Sequence, residues 1–162
     1  MALQPDLKCC HLVWTTYRRR RWFKIAEAAA FCERAVRAAC AARGWGADMV
    51  VALPHKVHAL VQVPVTMPRP AIAPLLQRQV AEALAAARLV PRGVPIWRGA
   101  GWCAVLTSPA ALTVVRRQLA AEAARLGWTV VPLEPRLQGG VRVAERARGI
   151  PARRPAKLEW LA

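Results

Sequence analysis

Between Met49 and Pro64 the chain reads M-V-V-A-L-P-H-K-V-H-A-L-V-Q-V-P. Two apolar, β-branched runs flank a Pro-His pair, the pattern of two strands joined by a turn so short that they must run antiparallel. Strand side chains alternate faces, so Lys56 and His58 in the second run point the same way. His55 lies in the turn, three residues from His58, and is a poor partner for it in a shared site.

The rest of the chain arranges itself around this hairpin. Leu7 to Thr16 is β-prone and precedes a basic run, Y-R-R-R-R, at Tyr17 to Arg21. Ile25 to Arg43 has apolar positions at helical spacing (Ala28, Phe31, Ala35, Val36, Ala39, Cys40), and Gly44 and Gly46 stop it. After a Pro-rich loop at Met67 to Pro70, the spacing predicts a second helix over Ala71 to Leu89. A Pro- and Gly-rich loop, Val90 to Gly101, leads to a short strand at Trp102 to Thr107. Ser108 is placed to cap a third helix with Pro109 in its first turn; that helix runs to about Leu126 and ends at Gly127. Trp128 to Leu133 reads as a last strand. Val141 to Val143 is a candidate edge strand, and Ala144 to Ala156 reads as a basic tail. The first six elements follow the split β-α-β, ferredoxin-like order, an α+β sandwich with two helices on one sheet face. The third helix is left free to pack elsewhere or against a partner. Residues 1–135 are expected to form one domain and 136–162 a basic extension.

Lys and Arg number 25 against 9 Asp and Glu, a formal net charge of +16. Such an excess favours a polyanionic partner, nucleic acid first and an acidic membrane surface second. A composition bias toward Ala, Arg, Gly and Pro is the alternative source. No apolar run approaches the ~20 residues needed to span a bilayer, and no signal-peptide core is present, so the expectation is a soluble, cytoplasmic protein without membrane association. The five cysteines are odd in number and form no C-x-x-C pair, which argues against a disulfide framework or a zinc ribbon. Cys32 and Cys40 are expected as buried thiols, and Cys9 and Cys10 as core residues, although Cys9 and His11 share a face.

Three separated segments together resemble a known family. H-L-V-W-T-T-Y-R-R-R at His11 to Arg20, L-P-H-K-V-H-A-L-V-Q-V-P at Leu53 to Pro64 and V-R-R-Q-L-A-A-E at Val115 to Glu122 are similar, in order and spacing, to the first strand, metal strand and nucleophile helix of the HUH-type single-strand DNA transposases. These are the tyrosine enzymes of insertion sequences and their REP-associated relatives. The resemblance covers roughly residues 7–126. It implies a homodimer and a partner that is single-stranded or hairpin DNA. It also implies a divalent ion, magnesium or manganese, that polarises the scissile phosphate.

The departures fall on the chemistry. Lys56 stands where the family has its other histidine, beside His58; Gln118 stands at the nucleophilic tyrosine; Glu122 stands at a metal-ligating glutamine. A carboxamide cannot attack phosphorus as a phenol does. Gln118 and Glu122 are i and i+4, hence on one helix face. If that face docks over the Lys56 strand, a Lys56–Glu122 ion pair would fill the space of the ion. No metal is then expected, His58 and Glu122 being its remaining candidate ligands.

The only tyrosine, Tyr17, has no activating partner in sequence. DNA contacts are expected from Arg18, Arg19, Arg20, Arg21, Trp22, Lys24, Lys56, Arg116 and Arg117, with Arg146, Arg148, Arg153 and Arg154 adding non-specific affinity. Trp97 and Trp102 border the Gly-rich loop, where core or dimer packing competes with base stacking. The expectation is a transposase-related DNA-binding protein that has lost strand cleavage. An active metal-dependent nuclease using other residues, and a structural partner-binding α/β protein, are the alternatives.

Overall fold

The structure is a computed structural model and describes residues 6–128. Its elements are β1 (Leu7–Thr15), a 3-10 turn (Tyr17–Arg19), α1 (Ala26–Ala41), β2 (Gly46–Leu53), β3 (Lys56–Pro64), α2 (Arg69–Ala86), β4 (Trp102–Leu106) and α3 (Pro109–Ala124). The four strands form one antiparallel sheet in the order β2-β3-β1-β4, the ferredoxin-like topology expected from the element order. No described helix is long and apolar enough to cross a membrane. The last strand expected from Trp128 to Leu133, the Val141–Val143 strand and the basic tail with its four arginines lie outside the described residues beyond Trp128.

Alternation sorts each strand between two cores. Cys10, Leu12 and Trp14 of β1, with Val57, Ala59, Val61 and Val63 of β3, face α1 and α2 and are fully buried. On the opposite face, Cys9, Met49, Val51, Leu53 and Leu60 are closed over by Leu112, Leu119 and Ala123 of α3. The third helix is therefore not free. It folds back on its own sheet because its apolar residues recur at helical spacing and form a seam. Two buried leucines contribute about 1.5–3 kcal/mol each, so the seam supplies most of the hold on α3 and the polar contacts set its register.

Two helix starts follow local chemistry. Ser108 accepts a hydrogen bond from the Ala111 amide at 3.1 Å, the cap its position predicts. The second helix begins at Arg69, before the expected Ala71, with Pro70 inside its first turn. Proline is tolerated there because those amides have no intrahelical acceptor. At the end of α1, Gly44 takes φ +68° and terminates the helix. Gly46, expected with it as a stop, instead opens β2 against the Gln62 side chain.

Candidate functional site

The sheet face under α3 gathers four polar side chains. Lys56 and His58 share that face of β3, as alternation requires. On β1, Val13 pairs with His58 and His11 with Leu60, so His11 is the diagonal neighbour of His58. His11 Nε2 lies 3.2 Å from His58 Nδ1, and the two rings stack with centroids 5.4 Å apart. From α3, Glu122 Oε2 comes to 3.1 Å from Lys56 Nζ and 3.8 Å from His58 Nε2. The Lys56–Glu122 approach considered from sequence is thus present.

The charges of this group follow from burial. His58 is 7% exposed. Desolvation first, then the Lys56 and His11 charges, push its pKa down to about 4 against the pull of Glu122. His58 is therefore neutral at neutral pH, and its short distance to Glu122 is not an ion pair; Lys56 is the carboxylate's counter-ion. One proton is shared along His11–His58, one nitrogen donating and the other accepting. Burial pushes the Glu122 carboxyl up, but the Lys56 hydrogen bond and the Lys56, His58 and Arg125 charges together hold it below the usual range. His58 Nε2 is buried with no hydrogen-bond partner among the described residues.

These residues do not fit a divalent ion. An ammonium has no lone pair to donate, and Lys56 holds the carboxylate that would be the second ligand. His58 Nδ1 is engaged with His11. Among the described residues no group of three or more His, Cys, Asp or Glu is spaced to hold a metal.

Other site residues from the sequence scatter around this centre. Gln118, one turn before Glu122, is exposed and has no polar partner among the described residues. Arg117 is exposed, but Arg116 turns to the sheet, where Nε and Nη2 donate to Asp48 at 2.7 and 2.6 Å. Asp48 sits at the bulge where the β2 register skips from Ala47 to Met49. Arg18, Arg19, Arg20, Arg21 and Lys24 are all exposed in the loop after β1. Arg18 and Arg19 hold φ values of 53° and 54°, a left-handed backbone costing roughly 1–2 kcal/mol per non-glycine residue. The buried Thr16 pins this loop: its single hydroxyl proton is shared between the Arg20 carbonyl at 2.6 Å and the His55 carbonyl at 3.1 Å. Trp22 is half-buried with Arg20 over its ring, and Tyr17 is half-buried with Arg18 over its ring.

The two loop tryptophans separate. Trp97 packs on Trp14 and Phe23 and donates to the Gln77 carbonyl at 3.0 Å, whereas Trp102 is 54% exposed. Cys9, Cys10, Cys32 and Cys40 are buried as expected. Sequence reasoning missed His11 and Asp48 as members of these contacts. For His11 the signal was available: it shares a face with Cys9, and only the β1–β3 register was needed to set it beside His58.

No protein-family model matches this sequence, and no curated protein matches it. Solved structures do. A candidate transposase from Deinococcus radiodurans R1 superposes with a TM-score of 0.56 at 19% identity, over 75% of this chain and 95% of that one. A REP-associated tyrosine transposase, solved bound to a REP hairpin, gives a TM-score of 0.58 at 12% identity, over 80% of this chain and 74% of that one. With its four-strand antiparallel sheet and three helices, the chain has the fold of these transposases.

Proposed function

We propose that this protein binds single-stranded or hairpin DNA and does not cleave it. The observation that carries the second half is the Lys56–Glu122 pair at 3.1 Å. An ammonium and a carboxylate neutralise each other where a cleaving relative would need an ion to polarise phosphorus. The exposed amide of Gln118 offers no nucleophile one turn away. Support for DNA comes from the loop at residues 18–21, which holds four exposed guanidinium groups at one end of the sheet, and from the fold shared with a protein solved on a hairpin.

A homodimer belongs to the same reading. The outer edge of β2 is occupied by α1 side chains: Glu33 accepts from the Ala52 amide, and Arg37 donates to the Ala47 carbonyl. Among the described residues, β4 has no such cover and is the edge a second sheet would extend.

The test uses the full chain with labelled hairpin and single-stranded oligonucleotides. Contact with four phosphates of a single strand predicts that affinity falls about 50-fold between 50 and 200 mM salt. With manganese present, no product and no denaturant-resistant adduct should form. A covalent protein–DNA species, or a nicked product lost on mutating this cluster, would overturn the inactive reading. Absence of any salt-dependent binding would overturn the DNA reading.

A further inference from the structure

Part of the α3 side of the sheet is left open, and its contents suit an unpaired base. The register places Trp102 of β4, Val13 of β1 and His58 of β3 in one row across this face. From Pro109 the third helix crosses to β2 and β3, where Arg116 meets Asp48 and Glu122 meets Lys56. It covers Met49, Val51, Leu53 and Leu60 but not the far end of β1. The two faces of that central strand record the difference. Cys10, Leu12 and Trp14 on the α1/α2 side are fully buried, while His11, Val13 and Thr15 on this side are only half-buried. Trp102 stands beside them as the one described tryptophan that is largely exposed. Its ring meets His11 edge to face, with centroids 5.4 Å apart and planes at 88°, so the imidazole braces the indole.

The rim of this patch is cationic. Thr15 ends β1, and the chain leaving it runs directly into the arginine loop. A nucleotide strand brings phosphates for the arginines of this rim and a π face for the indole.

We propose that Trp102 is a stacking platform for an unpaired nucleobase of a single DNA strand laid on this open patch, its phosphates directed toward the arginine loop at residues 18–21. The inference rests on the DNA-binding reading above and narrows its ligand: a paired base already has neighbours on its faces, so the platform selects single strand over duplex.

Fluorescence anisotropy tests it, with a labelled oligo-dT, an abasic oligomer of equal length and a duplex, on wild type, W102F, W102L and an R19A/R21A control. Loss of one stacked base predicts that W102L binds oligo-dT about 5- to 150-fold more weakly. W102F, which keeps a ring, should retain most of the affinity. The salt slope of W102L and its affinity for the abasic oligomer and duplex should match wild type, because stacking releases no counterions. Equal oligo-dT binding by wild type and W102L, with R19A/R21A weakened, would overturn the platform and leave the DNA reading intact. Failure of wild type to bind any oligomer would overturn both. A change of solution mass in W102L, measured by light scattering, would assign Trp102 to a subunit contact and overturn the platform.

Discussion

The Arg116–Asp48 contact should be a structural clamp. Its two bonds of 2.7 and 2.6 Å make a forked guanidinium–carboxylate pair, with the Asp48 side chain 11% exposed and that of Arg116 34% exposed. Hydrogen bonds to charged groups contribute about 1.5–3 kcal/mol net when buried. Arg116 can rehydrate once Asp48 is removed, so the lower end applies, about 2 kcal/mol for the pair. Asp48→Ala should therefore lower the melting temperature by about 4–8 °C in a chain of this size. The stem of Arg116 also packs, so Arg116→Ala alone mixes two losses. A double-mutant cycle of D48A and R116A isolates the pair, with an expected coupling of about 1.5–2 kcal/mol from urea unfolding followed by circular dichroism. A coupling under about 0.5 kcal/mol, the worth of an ordinary exposed pair, would refute the clamp and leave the leucine seam as the sole hold on α3. D48A removes a carboxylate and leaves the guanidinium in the protein, so it should not weaken DNA binding even as it destabilises the fold.

The buried imidazole gives a pH signature. His58 has a folded-state pKa of about 4, below the ~6.5 of an unfolded histidine, so the unfolded chain takes up the proton first as pH falls. Its contribution is fully present above about pH 6.5 and drains away toward pH 4, by about 3 kcal/mol. H58Q should flatten that part of the stability curve, and parallel wild-type and H58Q curves from urea titrations would refute the assignment. At Gly101, with φ +75°, an added Cβ would lie 2.5 Å from Trp14 Cδ1 and 3.0 Å from the Val13 carbonyl oxygen. Gly101→Ala should destabilise by about 2–4 kcal/mol, and a melting temperature within 1 °C of wild type would contradict that. Burial pushes the Cys9 thiol up to about 11 and the Cys10 and Cys40 thiols up to about 12, and raises Cys32 as well. In the native protein only the half-buried Cys103 should react with a thiol reagent at pH 8. Fast labelling of a second cysteine would show that the sheet opens.

Local chemistry was legible in the chain, and long-range placement only in part. The Pro-His hairpin, the Ser108 cap and the element order each depend on neighbours in sequence, and each was readable. The third helix displays an apolar seam at Leu112, Val115, Leu119 and Ala123, but spacing shows only that a stripe must be covered. What covers it depended on Met49, Val51 and Leu60 being turned the same way, a matter of sheet assembly. Arg116 shows the same limit. In sequence it is one of two adjacent arginines just before Gln118. Its partner lies 68 positions away at a strand irregularity that no pattern announces. The meeting of Lys56 with Glu122 was legible from the resemblance, which set a lysine and a glutamate at two positions expected to face each other.

Among the described residues, the side chains around Lys56 come from β1, β3 and α3 of the same chain, with α3 lying over its own sheet. With α3 in this position, each copy carries its own Lys56–Glu122 pair. Titrating one ligand into such a protein should give independent, hyperbolic saturation with one equivalent per chain, and diluting the protein should leave the apparent dissociation constant where it was.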